Sequence, residues 1–374
     1  MILISLIVTV LYLLLIGSFI FGFDRVPYFQ LKEALPKTKF SIVIPFRNES
    51  ENLPDLLKSI KNLDYPIQLF EIIFVDDDSN DYSVEIINKF KQQYQIQLHI
   101  LSNNRQTNSP KKDAISTAIN QAKNDWIITT DADCVLPKYW LDSFDAFIQK
   151  TETKCIVAPI SYIDENNFLN RFQTLDILSL QGATIGGFGI KKPFLCNGAN
   201  FAYTKDVFKA LNGFEGNTNI ASGDDIFFLE KLLKKDPKQL HYLKSKQAVV
   251  SSKSQTSWSS LISQRVRWAA KTSSYNNWFG KLTGLIVLLI NALIIIGLLL
   301  SLLQIFNFKS WIYVVVIKFN IDFYLIYKSA TFFNQKDVLR SFIPSFFFYP
   351  FFCVYVAFLS VFSSYKWKDR IFKK

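Results

Sequence analysis

The sequence predicts an α/β domain with an open, mainly parallel sheet, set between segments long and apolar enough to cross a membrane. Three observations carry this. Short β-rich runs alternate with helically spaced segments between residues 40 and 130, and acids collect at the ends of those runs. Apolar stretches of membrane-spanning length precede and follow the alternating region.

Met1–Phe23 is almost wholly apolar, with no Lys or Arg before Arg25. That length suffices for a bilayer's hydrocarbon core. It lacks the basic leader and small-residue cleavage site of a secretory signal, so a retained anchor is expected. Phe40-Ser41-Ile42-Val43-Ile44-Pro45 is a strand ended by proline, and Leu53, Leu56, Leu57 and Ile60 then recur at helical spacing. Glu71–Val75 is a second strand, followed by a helix marked by Val84, Ile87 and Phe90. Leu98–Leu101 is a third, followed by Ala114, Ile115, Ala118 and Ile119, and Trp126–Thr130 is a fourth. Strand–helix alternation at this interval predicts a parallel sheet covered on both faces.

Leu282–Ile305 and Ser341–Ser363 are two further long apolar runs. Trp311–Tyr327 between them is interrupted by Lys318, Asn320 and Asp322, so it reads either as a span or as an interfacial helix. Lys318 and Asp322 are one helical turn apart and suited to pairing. The expected division is an anchor over residues 1–23, a catalytic domain over 38–275 and a membrane domain over 276–374.

The net charge of +11 is concentrated near the apolar runs. From Asn276 onward there are eleven Lys/Arg against three Asp, and Lys238–Lys271 holds seven basic residues and no acid. This pattern fits attraction to anionic lipid rather than a nucleic-acid groove, so no nucleic-acid partner is expected. Arg25, Lys32, Lys37 and Lys39 after the first span place the catalytic domain in the cytoplasm. Lys366, Lys368, Arg370, Lys373 and Lys374 also belong inside by that rule, which three spans satisfy and four do not. Cys134, Cys155, Cys196 and Cys353 show no metal-ligand spacing and read as free thiols of a reducing compartment.

Ligands of open α/β sheets bind beyond the carboxyl ends of the strands. Here those ends carry Arg47-Asn48-Glu49, Asp76-Asp77-Asp78 and Asp131-Ala132-Asp133. Asp131 and Asp133, two apart at a strand end, suit a hard divalent cation and through it a diphosphate. Asp78, Ser79 and Asn80 read as a turn, whereas Asp77 suits a base or ribose contact. In Gly223-Asp224-Asp225, Asp224 fits helix capping and Asp225 is the better general base. In Gln264-Arg265-Val266-Arg267-Trp268, on a helix expected over residues 257–273, arginine suits diphosphate and tryptophan a sugar face. A snorkelling interfacial helix explains Arg265 and Trp278 equally well.

Taken in order, the Ser41–Glu49 run, Val75-Asp76-Asp77-Asp78-Ser79, Asp131-Ala132-Asp133, Gly223-Asp224-Asp225 and Gln264…Arg267-Trp268 resemble family 2 glycosyltransferases. The last element resembles the membrane-integrated branch with the cellulose, chitin and hyaluronan synthases. The resemblance spans residues 38–275. It implies a GT-A fold (Rossmann-like, mainly parallel sheet), to which the apolar runs add one N-terminal and two to three C-terminal transmembrane helices. It also implies an inverting hexosyltransferase using a UDP- or GDP-sugar with Mg2+ or Mn2+. By position, Pro45, Arg47, Glu49, Asp77, Lys111, Asp131, Gln264 and Arg267 would face the donor, with Asp133 on the metal. Asp225 would be the base, and Asn197, Gly198, Asp224 and Trp268 would face the acceptor. Pro110 stands where the family has glycine, and Gly223 and Asp224 replace the Thr-Glu common in cellulose synthases.

The expected function is sugar transfer to a lipid or lipid-linked saccharide at the cytoplasmic face of a membrane, such as a bacterial inner membrane. The alternatives are a processive polysaccharide synthase and a membrane scaffold that retains an inactive transferase fold.

Overall fold

Strand β1 (Phe40–Phe46) is flanked on both sides by parallel neighbours, β2 (Phe70–Asp76) and β4 (Trp126–Thr129). The structure is a computed structural model that describes residues 1–32, 34–218, 220, 222–362, 365–367 and 370–372. Lys368, Lys373 and Lys374 of the basic tail, and Ser363 at the end of the last apolar run, lie outside the described residues. The chain divides into two compact units, one of Pro27–Ile163 with Cys196–Lys253, the other of Met1–Val26, Asp164–Leu195 and Ser254–Lys374.

In the first unit a seven-stranded sheet has the order β3-β2-β1-β4-β8-β6-β9, completed by β3 (Leu98–Ser102), β6 (Cys155–Val157), β8 (Phe201–Thr204) and β9 (Leu240–Tyr242). β1 to β4 are parallel, and β8 runs antiparallel to both β4 and β6. A second sheet joins β5 (Cys134–Val135), β10 (Val250–Ser252) and β7 (Ile160–Tyr162). Ile42, Val43, Ile44, Ile72, Phe74, Val75, Ile127 and Ile128 are all buried, as continuous apolar runs require when both sheet faces are covered. The helices are α2 (Leu53–Lys61), α3 (Ser83–Gln93), α4 (Pro110–Gln121), α5 (Trp140–Lys150), α7 (Lys205–Ala210) and α8 (Asp224–Lys235). α2 buries Leu53, Leu56, Leu57 and Ile60, and α4 buries Ala114, Ile115, Ala118 and Ile119, the apolar faces legible in the sequence. Cys134, Cys155 and Cys353 carry free thiols.

The second unit holds α1 (Ile2–Arg25), α6 (Phe168–Gly189), α9 (Trp258–Ala270), α10 (Trp278–Leu302), α11 (Phe308–Phe332) and α12 (Phe342–Phe362), with a short hairpin of β11 (Tyr365–Trp367) and β12 (Arg370–Phe372). Among the described residues, α1, α10, α11 and Lys336–Phe362 are long and apolar enough to cross a membrane. The interrupted segment is thus part of a 25-residue helix, α11. Lys318 and Asp322 pair at 2.5 Å on its buried side, and Tyr12 of α1 donates to Asp322 at 2.5 Å.

α1 and α6 meet through glycines. A Cβ at Gly189 would lie 1.8 Å from the Gly22 carbonyl oxygen, and one at Gly186 would lie 2.4 Å from that of Phe19. Small residues at such crossings let helix backbones approach, which is how apolar helices associate without a hydrophobic driving force. Gly17 has no atom within 4 Å of such a Cβ. Gly189→Leu should therefore destabilise the protein by about 3 kcal/mol, whereas Gly17→Ala should be neutral or stabilise it by up to about 1 kcal/mol. Thermal melts of the detergent-solubilised variants measure both.

Candidate active site

Because β1, β2 and β4 are parallel, the loops after them leave one edge of the sheet, and the polar residues gather there. The loops after β1 and β2 are stitched together. Arg47 donates to the carbonyl oxygens of Asp77 (2.6 Å) and Asp78 (2.8 Å). Asn48 donates its N–H to Ser79 Oγ, and Asn80 returns one to Asn48 Oδ1. Asn48 and Asp78 both take positive φ (51° and 68°), a conformation that Asn and Asp tolerate in turns. Pro45 sits within β1, paired with Val75. Glu49 accepts from Asn52 at 2.6 Å.

Asp77 is buried and held by two groups the sequence reading did not select. Asn103 Nδ2 donates to its Oδ1 at 2.7 Å, and Arg105 Nε donates to the same oxygen at 2.6 Å. Both residues follow β3, at the same edge as the acids, and that position was the available signal. A second guanidinium nitrogen of Arg105 reaches the Asp77 carbonyl oxygen at 2.8 Å.

The centre of the cluster is Lys111, in the first turn of α4. Its Nζ lies 2.6 Å from Asp131 Oδ1 and 3.5 Å from Asp224 Oδ2. Burial alone would lower this lysine's pKa; Asp131, Asp224 and Asp225 outweigh it and hold the pKa above the ordinary value. Pro110, the departure from the family pattern, occupies the start of α4, where its fixed φ and missing N–H suit a helix N-terminus. The adjoining Lys112 is buried and donates to the carbonyl oxygens of Asn217 (2.6 Å) and Ile220 (2.9 Å), tying down the segment before α8.

The Asn197–Asn200 turn arrives at the same edge because β8 runs antiparallel and begins there. Thr129 Oγ1 donates to the Gly198 carbonyl oxygen at 2.7 Å, and the Gly198 N–H donates to Asp225 Oδ2 at 3.0 Å. Asn197 caps the turn through the Ala199 N–H. A Cβ on Gly198 would sit 2.9 Å from Asp224 Oδ2 and 3.6 Å from Lys111 Nζ, so a larger residue there would press on the Asp224 carboxylate. Asp225 also accepts from the Ile226 N–H at 2.7 Å. Lys111, Asp131, Gly198, Asp224 and Asp225 are thus one connected cluster, with Asp133 beside it.

Asp133 accepts from Ser252 Oγ at 3.3 Å. Burial, then the charges of Asp131 and Glu49, push its carboxyl up to about 6, with Lys111 opposing. No group of three His, Cys, Asp or Glu side chains spaced to hold a metal occurs among the described residues. A cation held mainly by a nucleotide's phosphates needs only one or two carboxylates from the protein, and Asp133 with Asp131 supplies that hard-oxygen donor set. The raised pKa of Asp133 comes first from burial and then from the like charges of Asp131 and Glu49, both of which a bound cation would offset.

Gln264, Arg267 and Trp268 belong to α9, in the other compact unit. There Arg265, for which a snorkelling helix is one of two open readings from sequence, is buried and ion-paired with Asp176 of α6 at 2.7 Å. Gln264 accepts a hydrogen bond from Arg265, and the Trp268 ring lies 4.2 Å from the Arg265 guanidinium carbon. Arg267 is half-buried on the same helix. Trp278 is exposed.

Residues 41–211 match the family model described as Glycosyl transferase family 2. The chain is 27% identical over 191 residues to a probable glycosyltransferase of Bacillus subtilis, covering 50% of this chain and 44% of that one. It is 29% identical over 146 residues to the poly-β-1,6-N-acetyl-D-glucosamine synthase of Staphylococcus epidermidis, covering 38% and 33%. The chain thus spans less than half the length of either relative. Among solved structures, a mannosyltransferase of Pyrobaculum calidifontis, in complex with GDP-Man and Mn2+, superposes with a TM-score of 0.56 at 12% identity, over 96% of this chain and 99% of that one. At that identity the likeness is one of fold, a mixed, mainly parallel GT-A-type α/β sheet.

The Asp133 carboxyl has a sign to test. Its pKa is raised above the unfolded value, so the stability tied to its proton is present below about pH 4. That stability is lost as pH rises through about 6. In EDTA, Asp133→Asn should therefore be more stable than the unaltered protein at pH 7.5, by on the order of 1–2 kcal/mol, and equal to it near pH 4. Melting temperatures across that range, with and without Mn2+, measure this; Mn2+ should raise only the unaltered protein.

Proposed function

From a chain whose residues 41–211 match the family 2 glycosyltransferase model, we infer an inverting hexosyltransferase. It moves a sugar from a nucleoside-diphosphate donor to a lipid or lipid-linked saccharide at the cytoplasmic membrane face. The observation that carries this is Lys111, whose ammonium bridges Asp131 on the strand-end side and Asp224 at the start of α8. A donor-binding carboxylate and the helix bearing the base are thereby held within one side chain's reach.

In this reading Asp77, positioned by Asn103 and Arg105, selects the base. Pro45, Arg47 and Glu49 line the nucleotide pocket, and Asp131 faces the ribose and diphosphate. Asp133 would hold Mg2+ or Mn2+, which when bound would neutralise the leaving diphosphate. Asp225 takes the proton of the acceptor hydroxyl as its oxygen attacks the anomeric carbon. The new C–O bond forms opposite the breaking bond to the diphosphate, which inverts the configuration. The Gly198 N–H keeps one Asp225 oxygen fixed, so the carboxylate is oriented before the acceptor arrives. Asn197, Gly198 and Asp224 face the acceptor. Gln264 and Arg267 would hold the diphosphate, with Trp268 against the acceptor sugar. A lipid-borne acceptor is supported by the four helices long and apolar enough to span a bilayer. The processive alternative draws on the likeness to the poly-β-1,6-N-acetyl-D-glucosamine synthase.

Asp225→Asn should lower kcat by about a thousandfold and leave donor affinity within about threefold, since its carboxylate touches the acceptor rather than the nucleotide. Steady-state transfer and nucleotide titration of the purified protein decide it, and near-normal turnover removes Asp225 as the base. Product sizing with radiolabelled donor should show one or a few added sugars; long chains would establish the processive alternative.

A further inference from the structure

β4 is tied to the start of α8 twice, and both ties lie within the compact unit of Pro27–Ile163 with Cys196–Lys253. The ionic tie runs from Asp131 through Lys111 to Asp224. The second uses no ammonium. Thr129 Oγ1 donates to the Gly198 carbonyl oxygen at 2.7 Å, and the Gly198 N–H donates to Asp225 Oδ2 at 3.0 Å.

Thr129 ends β4, two residues before Asp131, and is 3% exposed. Its hydroxyl has one proton to give. The Phe201 carbonyl oxygen is also near, at 3.3 Å, but Gly198 is the closer and better acceptor. The other end of the turn is fixed independently. Asn200, fully buried, donates to the Pro159 and Ala248 carbonyl oxygens at 2.7 and 2.8 Å and accepts from Trp140 Nε1 at 2.9 Å. The turn therefore does not need Thr129 to hold together. What Thr129 sets is the tilt of its Gly198 end, the end that reaches Asp225. Nor does β4 need a hydroxyl there: its other members are Trp126, Ile127 and Ile128, and valine has the same branched shape as threonine.

We propose that Thr129 is a positioning residue: through Gly198 it holds the Asp225 carboxylate in the orientation that takes the acceptor's proton, and it does so independently of Lys111. That independence has a use. Lys111 is proposed to face the donor, whose diphosphate competes with Asp224 for its ammonium, so donor binding strains the ionic tie and leaves the Thr129 tie intact. The inference rests on Asp225 as the base, as given under the proposed function.

Thr129→Val removes the hydroxyl and keeps the shape. It should melt within a few degrees of the unaltered protein, bind UDP or GDP in the presence of Mn2+ within about twofold of normal, and lower kcat about tenfold. Thr129→Ser, which retains the donor, should recover kcat to within about twofold of normal. Because the effect is exerted through Asp225, adding Thr129→Val to Asp225→Asn should cost less than about a further twofold in kcat. A stable Thr129→Val that turns over like Thr129→Ser would reduce the hydroxyl to a structural bond and overturn the proposal. An undiminished loss on the Asp225→Asn background would overturn it too, because the two residues would then act separately. Should Thr129→Val fail to fold, Thr129→Cys has the shape of serine with a much weaker donor. It should turn over at least about threefold more slowly than Thr129→Ser, and equal rates would overturn the proposal. If Asp225→Asn transfers at a near-normal rate, or the unaltered protein transfers no sugar, the underlying reading fails instead. The coupling of Thr129 to Gly198 is then judged by hydrogen exchange of the peptide covering residues 197–201. Exchange of the Gly198 amide should quicken about tenfold in Thr129→Val, and unchanged protection would overturn the coupling.

Discussion

The ammonium of Lys111 is the constraint on which the site depends. Asp131, Asp133, Glu49, Asp224 and Asp225 converge on one edge of a sheet, partly shielded from water, and carboxylates so gathered repel unless a cation stands among them. Lys111 meets Asp131 at 2.6 Å and Asp224 at 3.5 Å, so one charge offsets two that come from distant parts of the chain. Its place follows from the start of α4. Asp113 accepts from the N–H groups of Gln106 and Thr107, which folds the preceding loop back, and Pro110 then begins the helix with Lys111 directed to the acids. Arg105, on that same loop, neutralises Asp77. A single segment, residues 103–113, thus supplies the counter-charge for both halves of the strand-end cluster.

Sheet direction explains why those acids meet at all. Parallel β1, β2 and β4 release their following loops at one edge, and β8, being antiparallel, starts at that edge instead of ending there. The turn before β8 therefore delivers the Gly198 N–H to Asp225, and the absence of a side chain on Gly198 leaves room for Asp224 and Lys111. A purely parallel sheet would have placed the start of β8 at the opposite edge. The one reversal of direction brings the segment proposed to face the acceptor beside the strand ends proposed to face the donor.

This architecture was legible in the sequence where the chain repeats a strong local pattern. β1 to β4 are continuous apolar runs whose bounds could be read within a residue, and α2 and α4 show clear helical periods whose buried faces could be read though their ends could not. β5 to β10 are two to four residues long, too short for any period to register, and their pairing is decided by contacts distant in sequence. The acids were legible because carboxylates at a strand end have few structural uses. Their cations were harder. Lys111 emerged only through resemblance, and Arg105 and Arg265 not at all, because a basic residue on a loop or helix looks like any solvated charge until its partner is known. Asp176 shows the same limit: within an otherwise ordinary helix, nothing local announces that it meets an arginine 89 positions away.

The polar breaks in α11 carry a related lesson about hydropathy. Lys318, Asn320 and Asp322 left the segment open to two readings, and an interfacial helix would turn its charges toward water. The side chains of Lys318 and Asp322 are instead only 3% and 14% exposed. The ammonium faces the rings of Phe346 and Tyr349 at 4.9 and 6.0 Å, while Tyr12 donates to the carboxylate. These rings and the Tyr12 hydroxyl surround the pair, which is the arrangement an ionised pair needs where water is scarce. A charge that weakens the apolar signal of a segment therefore does not weaken the case for its spanning. When the charge is matched one turn away and covered by neighbouring helices, it marks the side of the helix that faces protein and leaves the other side to lipid.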